Sequence, residues 1–584
     1  MKPRVNFKPW GKISSILNVS RLVAENLLDD PQHFCLQTAR RFGKSSHLNG
    51  LQRVVESRRI PAKLTGLTAL LREDRLAVAE YVNAQGANWA DPAKAARLAD
   101  TAIASQLWDV AERVLDSAPL NRATARSRAR LEYSLGNLDE AIAVLVRNGN
   151  ANSRQLRHYR SELQVLESWN PVVNDQTRDW ELNQGTPRVL YVATNSLPFT
   201  ASGYTQRTHS LLMALQQDGV EVHAVTRVGY PLSIGNIFAD PVSQVDGIAY
   251  HRMLPARLEF DAAAKLQQQT QLLSELVKEL QPTVLHTTTD YTNALSVRAV
   301  ADAFELPWVY EVRGQLADTW ASTRPEKSRL SQRYQLFKER EAEVAASATS
   351  VLTLGHAMQK NLEESGVGAK RISVIPNGVG SPYTEGAPEK NKTRADLGLD
   401  PQAQYFGTIS SLVAYEGLDT LVRILANLTI KWPALRLLVV GDGVEREPLM
   451  RLARELEVAD KCIFPGRVSR NNAAKYHAAM DVFAVPRKNL VVTQDVTPLK
   501  PVEAMAFGVP VLASKLPALE ELIQHEENGI LVSADDVHAW TEAIEKLLND
   551  QQLRERLGKS ARGYVLNSRT WAACSQKLKQ IYSQ

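Results

Sequence analysis

Cysteine is scarce: the 584 residues contain three, Cys35, Cys462 and Cys574. No two have the spacing of a zinc or redox pair, and an odd, scattered count argues against a disulfide framework. Reduced thiols in a cytoplasmic protein are the expectation. Long apolar runs are missing too. No stretch approaches the roughly 18 apolar residues that a membrane-spanning helix needs. The opening "MKPRVNFKPWGKISSILNVSRLVAENLLDD" is basic and then amphipathic, without the apolar core and cleavage site of a secretory signal. It reads as a helix packed on its own domain, with at most a peripheral contact at the inner face of a membrane. Charge of one sign is in small excess. The net +5 is too little to argue for nucleic acid.

What is present suits a folded protein of several domains. Hydrophobic residues make up 44% and charged residues 23%, enough apolar material for two or three cores. Residues 1–168 are rich in alanine, leucine and arginine, with apolar positions three and four apart, and are expected to be all helical. "RLAVAEYV", "LWDVAERVL" and "LDEAIAVL" align on Ala79, Ala111 and Ala141. The segment "LEYSLGNLDEAIAVL" reads like the joint of a tetratricopeptide-type hairpin, with Gly136 at the turn and Ala141 where two helices touch. Such a region serves either as a site for a protein partner or as a helical cap without a ligand. Residues 169–187 carry proline, asparagine and glycine without periodicity and form the expected linker.

From Arg188 strands and helices alternate. "RVLYVAT", "VEVHAVTR", "TVLHTTT", "PWVYEVRG" and "ATSVLTLG" are strands of one series, which "SVIPNGV" ends with a turn. "AQYFGTIS", "LRLLVVGDG", "KCIFPGRV", "DVFAVPR", "GVPVLAS" and "GILVS" form a second. This grammar predicts an α/β fold of two doubly wound, Rossmann-like domains in tandem, over 188–385 and 386–560. The ligand site is expected in the cleft between their strand C-terminal ends.

Two loops invite chemistry. "SLPFTASGYTQRTH" leaves the first strand and enters a helix; Gly203 would let the backbone approach a ligand, and the helix N-terminus suits an anion. In "VTQDVTPLKPVEAMAFGVPVLAS", Glu503 lies at a helix start whose approach Pro498 and Pro501 fix. Its carboxylate could accept two vicinal hydroxyls, as on a ribose, while Arg487, Lys488 and Lys500 would meet phosphates. The bland alternative is a glutamate that merely favours a helix N-terminus.

The combination of "PLKPVEAMAFGVPVLAS", "VIPNGV", "LVAYEGLDTL", "LLVVGDGVEREPL", "CIFPGRV", "VLHTTTDYTNALSVRAVADAFELPWVYEVRG" and the serine-glycine loop resembles family 4 retaining glycosyltransferases of the GT-B fold. The similarity runs from Arg188 to the end. The segment "TWAACSQKLKQIY" resembles the terminal helix that crosses back to the first domain in that fold, here within 561–584. The resemblance implies an acceptor domain, 188–385, and a donor domain, 386–560. It implies transfer of a sugar from a nucleoside-diphosphate sugar to a glycan, lipid-linked or other acceptor, a polysaccharide or lipid-linked glycan being favoured. Glu503 matches the glutamate that binds the nucleotide ribose, and Asp495 the position that holds the transferred sugar, shortened here from Glu.

Other departures stand out against the same family. Ser411 and Glu416 occupy the places of its arginine and lysine. Positive charge at the leaving diphosphate must then come from Arg487 and Lys500, helped by the backbone N–H groups around Val496 and Thr497. His286 matches the first histidine of a His-x-His whose second is Thr288. Arg313 stands where many members have a histidine and is expected at the donor. The expected catalytic set is Asp495, Arg487, Lys500 and His286; the donor set is Glu503, Gly203, Val496, Thr497 and Arg313. No Asp-x-Asp metal site stands out, so no cofactor and metal independence are expected. The departures also support an alternative, a catalytically impaired GT-B protein acting as a scaffold through its helical region.

Overall fold

The computed structural model of the protein describes residues 91–104, 106–174, 187–236 and 239–583. Cys35, the amphipathic opening, the repeat segment around Ala79 and most of the expected linker lie outside the described residues. The described chain groups into two compact units. The first holds the residues up to Ala201 with Val222–Val309 and Thr319–Ala348, and the second holds Ser202–Glu221, Tyr310–Asp318 and the residues from Thr349 on.

The first unit begins with helices α1 (Pro92–Ala104), α2 (Trp108–Asp116), α3 (Arg122–Leu135), α4 (Leu138–Arg147) and α5 (Arg154–Glu167). Their apolar spacing produces buried faces. Leu98, Ala102, Val110, Val114 and Leu131 form one cluster, and Ala125, Ala129, Ala141, Leu145 and Leu156 another. Ala111 and Ala141, the aligned repeat positions, are fully buried. α3 stops at Gly136, whose φ of 96° is the left-handed conformation that closes a helix cheaply only without a side chain. A Cβ there would also collide with the Ser331 side chain.

The next elements are β1 (Arg188–Ala193), α6 (Gly203–Gln217), β2 (Glu221–Thr226), β3 (Val242–Val245), β4 (Ile248–Arg252), α7 (Ala262–Leu280), β5 (Val284–Thr288), α8 (Tyr291–Phe304), β6 (Trp308–Val312), α9 (Leu316–Ala321), α10 (Gln332–Ser347), β7 (Ser350–Thr353), α11 (His356–Glu364) and β8 (Ile372–Val374). The eight strands form one sheet in the order β3-β4-β2-β1-β5-β6-β7-β8. β1 and β5 pair in parallel, Tyr191 opposite His286. The antiparallel β3–β4 hairpin is the element the periodicity reading lacks. Its signal is the Asp246-Gly247 pair, with φ of 48° and 85°, the geometry of a two-residue hairpin turn.

The second series runs α12 (Lys390–Asp396), β9 (Gln404–Ile409), α13 (Asp419–Leu428), β10 (Leu435–Val440), α14 (Arg446–Glu455), β11 (Cys462–Gly466), α15 (Arg470–Ala479), β12 (Val482–Val485), α16 (Val491–Gln494), α17 (Lys500–Ala506), β13 (Val511–Ser514), α18 (Pro517–Glu520), β14 (Ile530–Val532), α19 (Val537–Asn549), α20 (Gln551–Ser568) and α21 (Trp571–Tyr582). Its parallel sheet has the order β11-β10-β9-β12-β13-β14. Leu437 and Val439 feed one core, Leu438 and Val440 the other. Burial on both faces is what continuous apolar strands require.

α21 packs on α6. Lys579 donates to Asp218 O at 2.9 Å, and Trp571 N–H to Val379 O at 3.0 Å. The two described cysteines are free thiols, and Cys574 is buried. No described helix is long and apolar enough to cross a membrane.

Candidate functional site

The second unit gathers the loops that follow its strands. β12 delivers Pro486, Arg487 and Lys488 at its C-terminal end, the edge where open α/β sheets take their ligands. The Arg487 guanidinium makes a two-point contact with Glu416: Nη2 lies 2.8 Å from Oε1 and Nε 3.2 Å from Oε2. Its Nη1 donates to Val496 O at 2.7 Å, and both residues of the pair are buried. The turn carrying Glu416 is locked in place. Lys488 N–H donates to Tyr415 O at 3.0 Å. Gly417, at φ 67°, lies so close to Pro486 O that a Cβ would collide with it.

Glu416 therefore points inward and is satisfied by the arginine expected to serve a diphosphate. A guanidinium has five N–H groups. The three bonds leave one N–H on each of Nη1 and Nη2.

Glu503 sits one turn into α17 and is 5% exposed. Its Oε2 accepts from Lys500 Nζ at 3.0 Å, so the second expected cation is also paired. Behind it, Tyr383 OH meets His477 Nδ1 at 3.1 Å. Burial, then the Lys500 charge, holds this imidazole well below its ordinary pKa and neutral. Burial, then the Glu503 charge, raises the Tyr383 phenol. The Glu503 carboxylate thus pairs with Lys500 beside a neutral imidazole and a phenol.

The loop from Asp495 to Leu499 is held by side chains from elsewhere in the unit. Asn361 Nδ2 donates to Asp495 Oδ2 at 2.8 Å, and Asn377 Nδ2 to Thr497 O at 2.8 Å. The amide N–H groups of Val496 and Thr497 donate to no group among the described residues. They are open donors beside Arg487. Tyr204, half exposed, and Val496 both lie beside Gly314: a Cβ there would find Tyr204 Oη at 3.4 Å and Val496 Cγ2 at 3.5 Å. The first turn of α6 thereby reaches the same place. A Cβ on Gly203 would meet nothing within 4 Å, so the protein's own packing does not demand glycine there. α6 is capped by Ser202, whose side chain accepts from Thr205 N–H.

Two expected residues sit differently. Arg313, expected at the donor, is 2% exposed. Its Nε donates to Glu311 Oε2 at 2.9 Å, and Nη1 to Tyr204 O at 2.8 Å and Thr208 Oγ1 at 2.9 Å. Arg207 shares the same carboxylate, 2.6 Å from Oε1, and donates to Ile375 O at 2.7 Å and Pro376 O at 2.8 Å. The Arg313 guanidinium is spent on bracing the start of α6, because a buried cation is tolerated only when surrounded by acceptors. His286, expected in catalysis, lies in the first unit with no exposure, its ring centroid 4.4 Å from that of Tyr191. The register of β1 and β5 keeps it inside the sheet.

The structure thus assembles Arg487, Lys500, Glu503, Asp495, Val496, Thr497 and Gly203 in one unit. Sequence reasoning missed the inward Glu416, the two asparagines and the Arg207–Glu311–Arg313 group. Only the charge reversal at Glu416 left a trace in the sequence.

Comparison with known proteins bears on this arrangement. Residues 202–378 match the family profile "Glycosyl transferase 4-like domain", and residues 389–564 match "Glycosyl transferases group 1". The chain therefore carries, one after the other, a region matching each of these two glycosyltransferase profiles. It is 34% identical over 172 residues to a GDP-mannose-dependent alpha-(1-6)-phosphatidylinositol monomannoside mannosyltransferase of Mycobacterium tuberculosis (strain CDC 1551 / Oshkosh), covering 29% of this chain and 45% of that one. It is 28% identical over 248 residues to a D-inositol 3-phosphate glycosyltransferase of Nocardia farcinica (strain IFM 10152), covering 41% and 53%. The chain spans about half the length of the curated relatives it matches. Among solved structures, the sucrose-phosphate synthase of Thermosynechococcus elongatus superposes with a TM-score of 0.57 at 22% identity, covering 68% of this chain and 98% of that one. The Anabaena protein HepE in complex with UDP and glucose does so with 0.54 at 18%, covering 68% and 100%. The fold is GT-B.

Proposed function

We propose that the protein transfers a sugar from a nucleoside-diphosphate sugar to an acceptor hydroxyl with retention of anomeric configuration and without a metal ion. The observation that carries this reading is Glu503. It is a buried carboxylate at the start of α17, next to a loop with two open amide donors and the ends of Arg487 and Lys500. That combination suits a ribose beside a diphosphate. The family profiles support it, as do relatives named for GDP-mannose dependence and a neighbour crystallised with UDP.

In this reading Glu503 accepts from the ribose hydroxyls, and Asp495 holds hydroxyls of the transferred sugar. The free N–H groups of Arg487, the Lys500 ammonium and the Val496 and Thr497 amides meet the diphosphate. The bond from the anomeric carbon to the phosphate oxygen breaks as the acceptor oxygen bonds to that carbon. The acceptor's proton passes to the departing β-phosphate, so no side-chain base is needed. Charge on the leaving group is stabilised by donors already in place, and positioning supplies much of the rest. The acceptor favoured is a polysaccharide or lipid-linked glycan.

The test is calorimetric titration of UDP and GDP into the full-length protein and into Glu503→Ala, followed by turnover of a panel of labelled nucleotide sugars with and without EDTA. Binding that weakens about a hundredfold or more in the variant is expected, since a bidentate charged contact is lost. Activity should persist in EDTA. Unchanged affinity in a folded variant removes Glu503 from the donor site.

A second reading has its own observation. Glu416 and Glu503 neutralise Arg487 and Lys500, so the two expected cations bring no net charge. A binding or scaffold protein would tolerate that. Nucleotide binding without turnover of any donor in the panel would select it.

A further inference from the structure

The first unit contains an electrostatic oddity that the donor site does not use. The sheet order places β4, β2, β1 and β5 side by side, so their C-terminal ends form one continuous edge. Arg252 is the last residue of β4, and Thr226, its register partner, ends β2. Arg227 follows directly, and its backbone N–H donates to Ala193 O at the end of β1 at 3.0 Å. Two guanidinium groups thus converge on the loop after β1. Arg252 Nη1 donates to Ser196 Oγ at 2.8 Å and Nη2 to Leu197 O at 3.0 Å. Arg227 Nη2 reaches Asn195 Oδ1 at a long 3.4 Å. Neither arginine has an ion pair among the described residues, and the Nε of each is buried without a hydrogen-bond partner.

The two are not equivalent. Arg252 is 4% exposed and caged by the rings of Phe199, Tyr230 and Tyr250, each 5.5 to 5.6 Å from its Cζ. Such rings accept a cation in place of an anion. Arg252 is therefore accounted for as the fastener of the loop. Arg227 has no cage and one weak bond, yet it is only partly exposed. Asp290, two residues beyond β5, acts on it through its charge and not by contact. Burial outweighs that charge and pulls Arg227 below its ordinary pKa. Asp290 itself has φ 152°, a conformation non-glycine residues avoid and one that gathers at functional sites. A half-buried arginine left without a counter-ion at the ligand edge of a parallel sheet is costly unless an anion comes to it.

The structure assigns this edge as an oxyanion subsite: Arg227 is its contact residue, and Asn195 and the loop fastened by Arg252 form its wall. The ligand class is an acceptor bearing a phosphate or carboxylate group. The assignment deepens the proposed glycosyl transfer by naming the acceptor's charge and rests on that reading for the word acceptor. Anion binding itself can be measured whether or not any sugar is transferred.

The experiment uses the full-length protein with excess UDP, so that the donor site does not compete. Inorganic phosphate is titrated and followed by 31P line broadening, in wild type, Arg227→Gln and Asn195→Asp. Asn195→Asp keeps the arginine and supplies an internal counter-ion. Co-sedimentation with phosphatidylcholine vesicles, with and without phosphatidylinositol, separates a lipid head group from a soluble acceptor. Phosphate affinity should fall at least about tenfold in both variants, while UDP binding, which reports the second unit, stays intact. Vesicle binding that needs both phosphatidylinositol and Arg227 assigns the group to a lipid; phosphate binding without it assigns a soluble anionic acceptor. Equal phosphate binding in all three proteins, or no binding of phosphate or phosphatidylinositol vesicles by wild type, overturns the assignment.

Discussion

Arg487 carries two demands at once. It must hold Glu416 and Val496 O, and in the proposed reaction it must also meet the diphosphate with its remaining N–H groups. Removing Glu416 alone leaves a buried cation without its partner, which costs about 3 to 5 kcal/mol. Glu416→Ala should therefore lower the urea midpoint of unfolding sharply. Arg487→Gln, made together with Glu416→Gln so that no buried charge is left unpaired, loses the charge at the leaving group. Its turnover should drop about a hundredfold or more, in the range seen when a transition-state donor is removed, while nucleoside affinity changes little because the nucleoside has no diphosphate. Near-normal turnover in this double variant, measured with the donor found active in the panel, would move the phosphate contact to Lys500 and the loop amides.

At the level of elements, the site depends on a turn pressed against a strand end. The Ala414–Glu416 turn, Gly417 and the exit of β12 share the Lys488 N–H to Tyr415 O bond. Gly417→Ala forces a side chain into a left-handed backbone, at about 1 to 2 kcal/mol, and drives it into Pro486 O. A loss of about 2 kcal/mol or more in chemical denaturation is expected, together with weaker nucleotide binding as Glu416 and Arg487 shift. Wild-type stability in Gly417→Ala would show that the turn and strand end can move apart freely. The same logic explains α11. Glu521 accepts from the amides of His356 and Ala357 at 2.6 and 2.5 Å, so that helix start is already filled by the protein's own carboxylate.

At the scale of the whole molecule, the described helices α3 to α5 belong to the first unit and pack against its later helices. Glu162 of α5 accepts from Arg333 Nη2 at 2.5 Å and from the Tyr133 hydroxyl. The Arg333 guanidinium lies 5.1 Å from the Tyr133 ring centre. Arg324 Nε donates to Ser134 O at 2.6 Å, and Ala263 N–H to Ser161 Oγ at 2.9 Å. Burial pushes the Glu162 carboxyl up, but Arg333 and then His158 outweigh it and hold it below the usual 4.5. A carboxylate depressed in the folded state stabilises above its unfolded pKa and loses that contribution as pH falls through the folded one. Stability should thus fall as pH drops below 4.5, in part through this contact. In Glu162→Gln the protein should be weaker at neutral pH by about 2 to 4 kcal/mol, with a shallower acid slope in urea titrations on either side of pH 4.5. An unchanged slope would show that other carboxylates govern acid unfolding.

Much of this was legible in the residues. The strand–helix alternation from Arg188 on, with its continuous apolar strands, dictates two largely parallel sheets buried on both faces, to which the antiparallel β3–β4 hairpin is an edge addition. The proline-bracketed Glu503 and the order of the loop motifs point to a donor site. The Asp246-Gly247 turn was readable too, being local backbone chemistry. What the sequence could not decide is pairing at a distance. Glu416 and Arg487 are far apart along the chain, as are Glu162 and Arg333, and a charge has no preferred partner until folding brings one within hydrogen-bond reach. Arg313 and Arg227 look alike as letters after strands. Only the tertiary structure surrounds one with a carboxylate and carbonyls and leaves the other at an open sheet edge, because a buried charge takes its role from the acceptors around it.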